Sequence, residues 1–181
     1  MAQNNLTGYI LIEGGESSVR GIVLITDPKG FPADCHYTEP VRPTKPERIL
    51  YGSSFDSYAK EELILSSLLD SVEFDPQLWI CNDEDILEPL RKSAKIKTVM
   101  LEESPHVPLE AAGAVESLPE NGVYLIQTEE HGNPLRAEFP ANTRQDEVQQ
   151  TAKMLTENAK TMSILEPFDR MRKLLDLKGA E

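Results

Sequence analysis

Two apolar runs, Tyr9-Ile10-Leu11-Ile12 and Val19-Arg20-Gly21-Ile22-Val23-Leu24-Ile25, stand six residues apart near the start of the chain. A strand that faces water on one side alternates apolar and polar residues. These runs barely alternate, so both of their faces must be covered, as in the central strands of a layered α/β sheet. The intervening Glu13-Gly14-Gly15-Glu16-Ser17-Ser18 supplies glycines that tolerate the positive φ of a hairpin. Asp27-Pro28-Lys29-Gly30 then places Asp, Pro and Gly where a type I turn takes them, and Phe31 to Tyr37 predicts a third strand of a meander.

Three prolines between Thr38 and Pro46 make the next connection extended and stiff. Thr44-Lys45-Pro46-Glu47 matches a capping box over a short helix that Gly52 can end. A longer helix is predicted from Phe55 to Val72, with Tyr58, Leu65, Leu68, Leu69 and Val72 at three- and four-residue spacing. Leu78-Trp79-Ile80-Cys81 predicts a buried strand. Asn82 is the expected cap of the next helix, whose first turn is loaded with acids and which Pro89 should kink or restart. Lys97 to Leu101 predicts a fifth strand. Residues 102–121 predict a loop with a short helix near 109–114, Val123–Gln127 and Leu135–Phe139 a hairpin, and 144–160 and 166–177 two helices.

The order of residues 8–102, three antiparallel strands followed by helix, strand, helix and strand, resembles the ribonuclease H-like fold. The resemblance implies a strand order 3-2-1-4-5. In nucleases of that fold, carboxylates on the first strand, the first long helix and the end of the fourth strand hold two divalent metals. The corresponding acids here are Glu13, Glu61 or Glu62, and Asp83, with Mg2+ or Mn2+ as the implied cofactor. The first strand itself, Tyr9 to Ile12, carries no aspartate.

The 181 residues, with 39% hydrophobic and 27% charged, suit a globular chain with a real core. A formal charge of −13 repels phosphate backbones and anionic bilayers over most of the surface, so nucleic acid and membrane are unexpected partners. Cys35 and Cys81 stand alone in strand-like runs and are expected to be free, buried thiols. Met1-Ala2-Gln3-Asn4-Asn5 is polar and begins no apolar signal segment, which makes the cytoplasm the expected compartment. His36, His106 and His131 have no partner at ligand spacing, and no Gly-x-Ser-x-Gly or glycine-rich phosphate loop is present.

These readings converge on a mixed α/β chain: a core over 1–103, a Pro/Glu-rich connection over 104–121, and a hairpin and helical extension over 122–181. With no complete catalytic motif, the expected role is a non-enzymatic interaction subunit with another protein as partner and no cofactor. Two stretches could dock that partner: Pro40, Arg42 and Pro43 in the stiff connection, with PxxP spacing, and Leu165, Phe168, Met171 and Leu175 on one stripe of the last helix. Packing of that stripe onto its own sheet is the simpler outcome. The alternatives are a ribonuclease H-like metal-dependent nuclease and a small-ligand sensor with a pocket at the strand ends.

Overall fold

The structure is a computed structural model that describes residues 5–15 and 17–179. Residues 1–4 of the polar N-terminal segment, Glu16 of the first hairpin loop, and residues 180–181 lie outside it. Eight strands form one mixed sheet: β1 (Thr7–Gly14), β2 (Val19–Thr26), β3 (Pro32–Tyr37), β4 (Leu78–Cys81), β5 (Lys97–Glu103), β6 (Val115–Ser117), β7 (Val123–Ile126) and β8 (Leu135–Glu138). Their order is β3-β2-β1-β4-β5-β8-β7-β6. The first five strands thus have the 3-2-1-4-5 order expected from the sequence. β1, β4 and β5 are mutually parallel, and every other pairing is antiparallel.

Alternation along each strand divides the core into two layers. Tyr9, Leu11, Ile22, Leu24, Ile80 and Leu101 face α5 (Gln145–Ala159) and α6 (Glu166–Gly179). Ile10, Ile12, Val23, Ile25, Trp79 and Cys81 face the helices that precede and follow β4. Both apolar runs are therefore covered twice, as their lack of alternation requires.

The helical stretch before β4 is not uniform. It begins with α1 (Lys45–Tyr51), passes through a 3-10 turn at Gly52–Ser54 and α2 (Phe55–Tyr58), widens into a π-helical segment at Ala59–Leu65, and ends in α3 (Ser66–Ser71). The capping box of α1 is present: Glu47 N donates to Thr44 Oγ1 and Thr44 N donates to Glu47 Oε2 at 2.7 Å. Gly52, with φ +54, ends it. At Gly21 the helix lies against the sheet so closely that a Cβ would meet Ile64 Cγ2 at 2.4 Å.

Three local expectations change. Asp83, not Asn82, caps α4 (Glu84–Ala94), because its Oδ1 accepts the Asp85 N–H at 2.9 Å. Pro89 sits inside α4, which does not restart there but runs on to Ala94. No helix forms over 109–114: Gly113, with φ +91, donates to Gln127 O at 2.7 Å and leads into β6, while the buried Gln127 side chain accepts from Leu109 N. Local alanine content lost to this cross-strand pairing. Cys35 is exposed on the edge strand β3 and Cys81 is buried; both are free. The expectation that both thiols are hidden is thus corrected for Cys35, because β3 is the edge strand of the sheet.

The last helix packs at home. Phe168, Met171 and Leu175 are buried in the core, with Leu165 half-buried beside them. Tyr9 fixes the start of α6: its hydroxyl donates to Ile164 O at 2.9 Å and its ring meets Phe168 edge-on at 5.4 Å. Burial pushes that phenol well above its ordinary pKa.

Candidate functional site

Because β1, β4 and β5 are parallel, their carboxyl ends lie along one edge of the sheet, the usual place for ligands in such folds. Ile10 stands opposite Cys81 in the β1–β4 register, so Ile12 is level with Asp83 and Glu13 follows one residue later. Alternation then sends the two acids apart. Glu13 shares the α6 face with Tyr9 and Leu11, whereas Asp83 shares the opposite face with Trp79 and Cys81.

Each acid already has a protein cation. Arg20 Nη2 lies 3.1 Å from Glu13 Oε2 and 3.1 Å from Asp176 Oδ1, and its Nη1 donates to Leu175 O at 2.7 Å. Arg20 therefore ties the end of β1 to the last turns of α6. On the other face, Lys60 Nζ lies 3.1 Å from Asp83 Oδ2 and 3.3 Å from Asp85 Oδ2. Lys60 comes from the π-helical segment. Burial pulls its pKa down, but the hydrogen bonds and charges of Asp83 and Asp85 outweigh this and leave it raised. Beneath them, burial pushes the Cys81 thiol up to about 12, so it remains protonated.

Glu61 and Glu62 are exposed on the helical stretch and form no ion pair among the described residues. The structure thus brings Asp83 together with Lys60 and Asp85, and Glu13 together with Arg20, but it does not bring Glu13, Glu61, Glu62 and Asp83 into one cluster. Among the described residues no three His, Cys, Asp or Glu side chains converge to hold a metal. The two-metal set implied by the fold resemblance therefore does not fit these residues: its acids are on different faces, and lysine and arginine neutralise them.

Beside this edge lies a shallow cleft of about 680 Å³ lined by Asn82, Glu102, Glu103, Glu166, Asp169 and Arg172 among others. The Asn82 Oδ1 atom is buried with no hydrogen-bond partner among the described residues. Three of its acids are paired with arginine: Glu102 with Arg136 at 2.8 Å, Glu166 with Arg170 at 2.9 Å and Asp169 with Arg172 at 3.4 Å.

The stiff connection reaches the same end of the sheet. Val41 pairs with Val19, which itself lies opposite Gly14 at the end of β1. Pro40 and Arg42 are exposed and Pro43 half-buried, and α1 beyond them buries no residue. Ile49 and Leu50 are each 81% exposed, and Tyr51 stacks on Tyr58 at 4.3 Å. Arg42 and Lys45 form no ion pair among the described residues. By contrast, Phe168, Met171 and Leu175 are spent on the core, which removes them as docking residues. Sequence reasoning missed Arg20 and Lys60. An arginine inside an otherwise apolar strand run was a readable signal for the first, whereas Lys60 before Glu61-Glu62 looks like any solvated helix face.

No family model matches the chain, and no curated protein matches it. Solved structures do. Endonuclease V of Ciona intestinalis, in complex with a 24mer DNA containing an inosine followed by a ribo-adenosine, matches at 11% identity with a TM-score of 0.61. The match covers 100% of this chain and 89% of that one. Endonuclease V of Streptomyces avermitilis matches at 14% identity and TM-score 0.62, covering 98% and 83%. The Argonaute of A. aeolicus matches at 11% identity and TM-score 0.52, covering 88% of this chain and 26% of that chain. The fold is ribonuclease H-like. Two expectations are corrected by these matches. The non-enzymatic protein-interaction subunit is set aside, because the whole chain is laid out as in nucleic-acid nucleases and no face was left for the last-helix dock. The expectation against nucleic acid rested on net charge alone, and a DNA-bound neighbour with the same layout overturns it. No helix among the described residues is long and apolar enough to cross a membrane.

Proposed function

We propose that this protein engages nucleic acid through an endonuclease V-like body, with the strand approached from the α1 side of the sheet's carboxyl edge. The single observation that supports this is the correspondence with endonuclease V over the full chain, the hairpin and both final helices included. The chain's own chemistry supplies the location. Arg42 and Lys45, which form no ion pair among the described residues, put exposed cations beside α1 in an acidic protein, and Tyr51 offers an aromatic surface beside them. Phosphate is attracted by the first and bases stack on the second.

The test measures fluorescence anisotropy of labelled single-stranded DNA and RNA, with and without inosine, in EDTA and in Mg2+ or Mn2+, and resolves products on gels. Binding that weakens with salt is expected, with the salt slope reduced by roughly two in the Arg42→Glu/Lys45→Glu variant. The control Lys92→Glu/Lys95→Glu, at the end of α4 beside the start of β5 and so at the opposite edge of the sheet, should bind like the parent. Absence of binding to every strand at low salt would refute the proposal. Metal-dependent cleavage abolished by Asp83→Asn would establish the nuclease reading with Asp83 as its acid.

A further inference from the structure

The carboxylates at the strand ends disagree with the metal chemistry of the fold, and the disagreement has a specific form. Lys60 Nζ sits between Asp83 Oδ2 at 3.1 Å and Asp85 Oδ2 at 3.3 Å, where two carboxylates converge beyond the fourth strand. We infer that Lys60 takes the place of a divalent cation there, so that this edge of the sheet is electrostatically complete without metal.

Three observations carry this. The lysine side chain is 19% exposed and that of Asp83 23%, so this contact is partly withdrawn from water and salt, while the Asp85 contact lies toward the surface. It is delivered by the π-helical segment Ala59–Leu65; such widened turns insert an extra residue into a helix and re-aim the side chains around it, frequently at functional sites. And Asp83 is doubly committed: its other oxygen caps α4 by accepting from Asp85 N. A metal arriving at Asp83 would have to displace the lysine while that cap holds the carboxylate in place. The inference rests on the proposed function only for the importance of this edge, and its test uses the ion alone, without nucleic acid.

The experiment titrates Mn2+ into the full-length protein and follows free ion by electron paramagnetic resonance, taking as readout the part of the binding that Asp83→Asn removes. Lys60→Met keeps the aliphatic stem and the packing, and Lys60→Ala opens the position further. Circular dichroism and a thermal melt confirm that each variant folds. The parent should show no Asp83-dependent Mn2+ binding up to millimolar ion. Lys60→Met or Lys60→Ala should gain such binding by at least tenfold, lost again when combined with Asp83→Asn. Asp83-dependent binding by the parent would overturn the inference. So would Lys60→Met and Lys60→Ala variants that both fold yet bind Mn2+ no better than the parent.

Discussion

The two faces of this sheet are built from the same alternating strands but covered in different ways. Under α5 and α6, regular helices of 15 and 14 residues bury Val148, Leu155, Phe168, Met171 and Leu175 as a continuous stripe. On the other face the covering chain changes its helical pitch along its length, and α1 at its start buries nothing. Regular pitch keeps every apolar residue on one stripe; a π-helical segment breaks the stripe and turns a charged side chain inward. Both faces bury a core, but the second also places Lys60 on Asp83 and leaves α1 without a buried residue.

The largest effect that could break this contrast is on the regular face. Phe168→Ala should cost about 3–5 kcal/mol in urea unfolding, because it empties a packed position under Tyr9. A loss below about 1 kcal/mol would show that α6 is not the anchor. Next, Gly21→Ala tests the closeness of the irregular helix to β2. The added methyl would meet Ile64 at 2.4 Å, and overpacking of this kind costs about 1–3 kcal/mol. Gly15→Ala, with nothing within 4 Å, is the neutral control.

Smaller and more diagnostic is the alkaline limb. Lys60 has a raised pKa in the folded protein, so its contribution is fully present below the unfolded lysine value near 10.4 and is lost as pH rises through the higher folded value. Parent stability should therefore fall in that alkaline window more steeply than that of Lys60→Met; parallel curves would remove the part-buried Lys60–Asp83 pair from the account. Smallest of all, Thr44→Ala removes the α1 cap, which is worth about 1 kcal/mol to a helix. Because α1 buries no residue, the global unfolding midpoint should stay within error while amide exchange in residues 45–51 accelerates. A reagent for thiols sharpens the picture further: one thiol, Cys35, should react in the native protein, and the second, Cys81, only after denaturation.

The division between the faces was partly legible in the sequence. Continuous apolar runs at Tyr9–Ile12 and Val19–Ile25 required two coverings, and the 3-2-1-4-5 strand order was implied by the resemblance of the element order to the ribonuclease H-like fold. The capping box at Thr44 was readable because its two hydrogen bonds are local. What could not be read were features decided across the fold. The pitch change at Ala59–Leu65 has no spacing signature in a run already dense with apolar residues. The β6 pairing of residues 115–117 depends on Gln127 and Gly113 meeting at a distance, which overrode the alanines of 109–114. Glu13 and Arg20 stand opposite each other in the antiparallel β1–β2 hairpin and so were within reach of a local reading, whereas the pairing of Asp83 with Lys60 depends on how the helical stretch lies against the end of β4, and no local pattern encodes it.

The contacts that hold β1 have a temporal consequence. Thr7 is bonded by Asn158, Tyr9 bonds Ile164, and Arg20 bonds Leu175, each spanning more than 150 residues of chain. Long-range contacts form late, since the loop between them must close first. At synthesis rates of about 5–20 residues per second, the first hairpin is out for roughly ten seconds or more before α6 exists to cover it. During that interval one apolar side of Tyr9, Leu11, Ile22 and Leu24 is bare, so newly made chains should be held by chaperones or aggregate until the final helix docks.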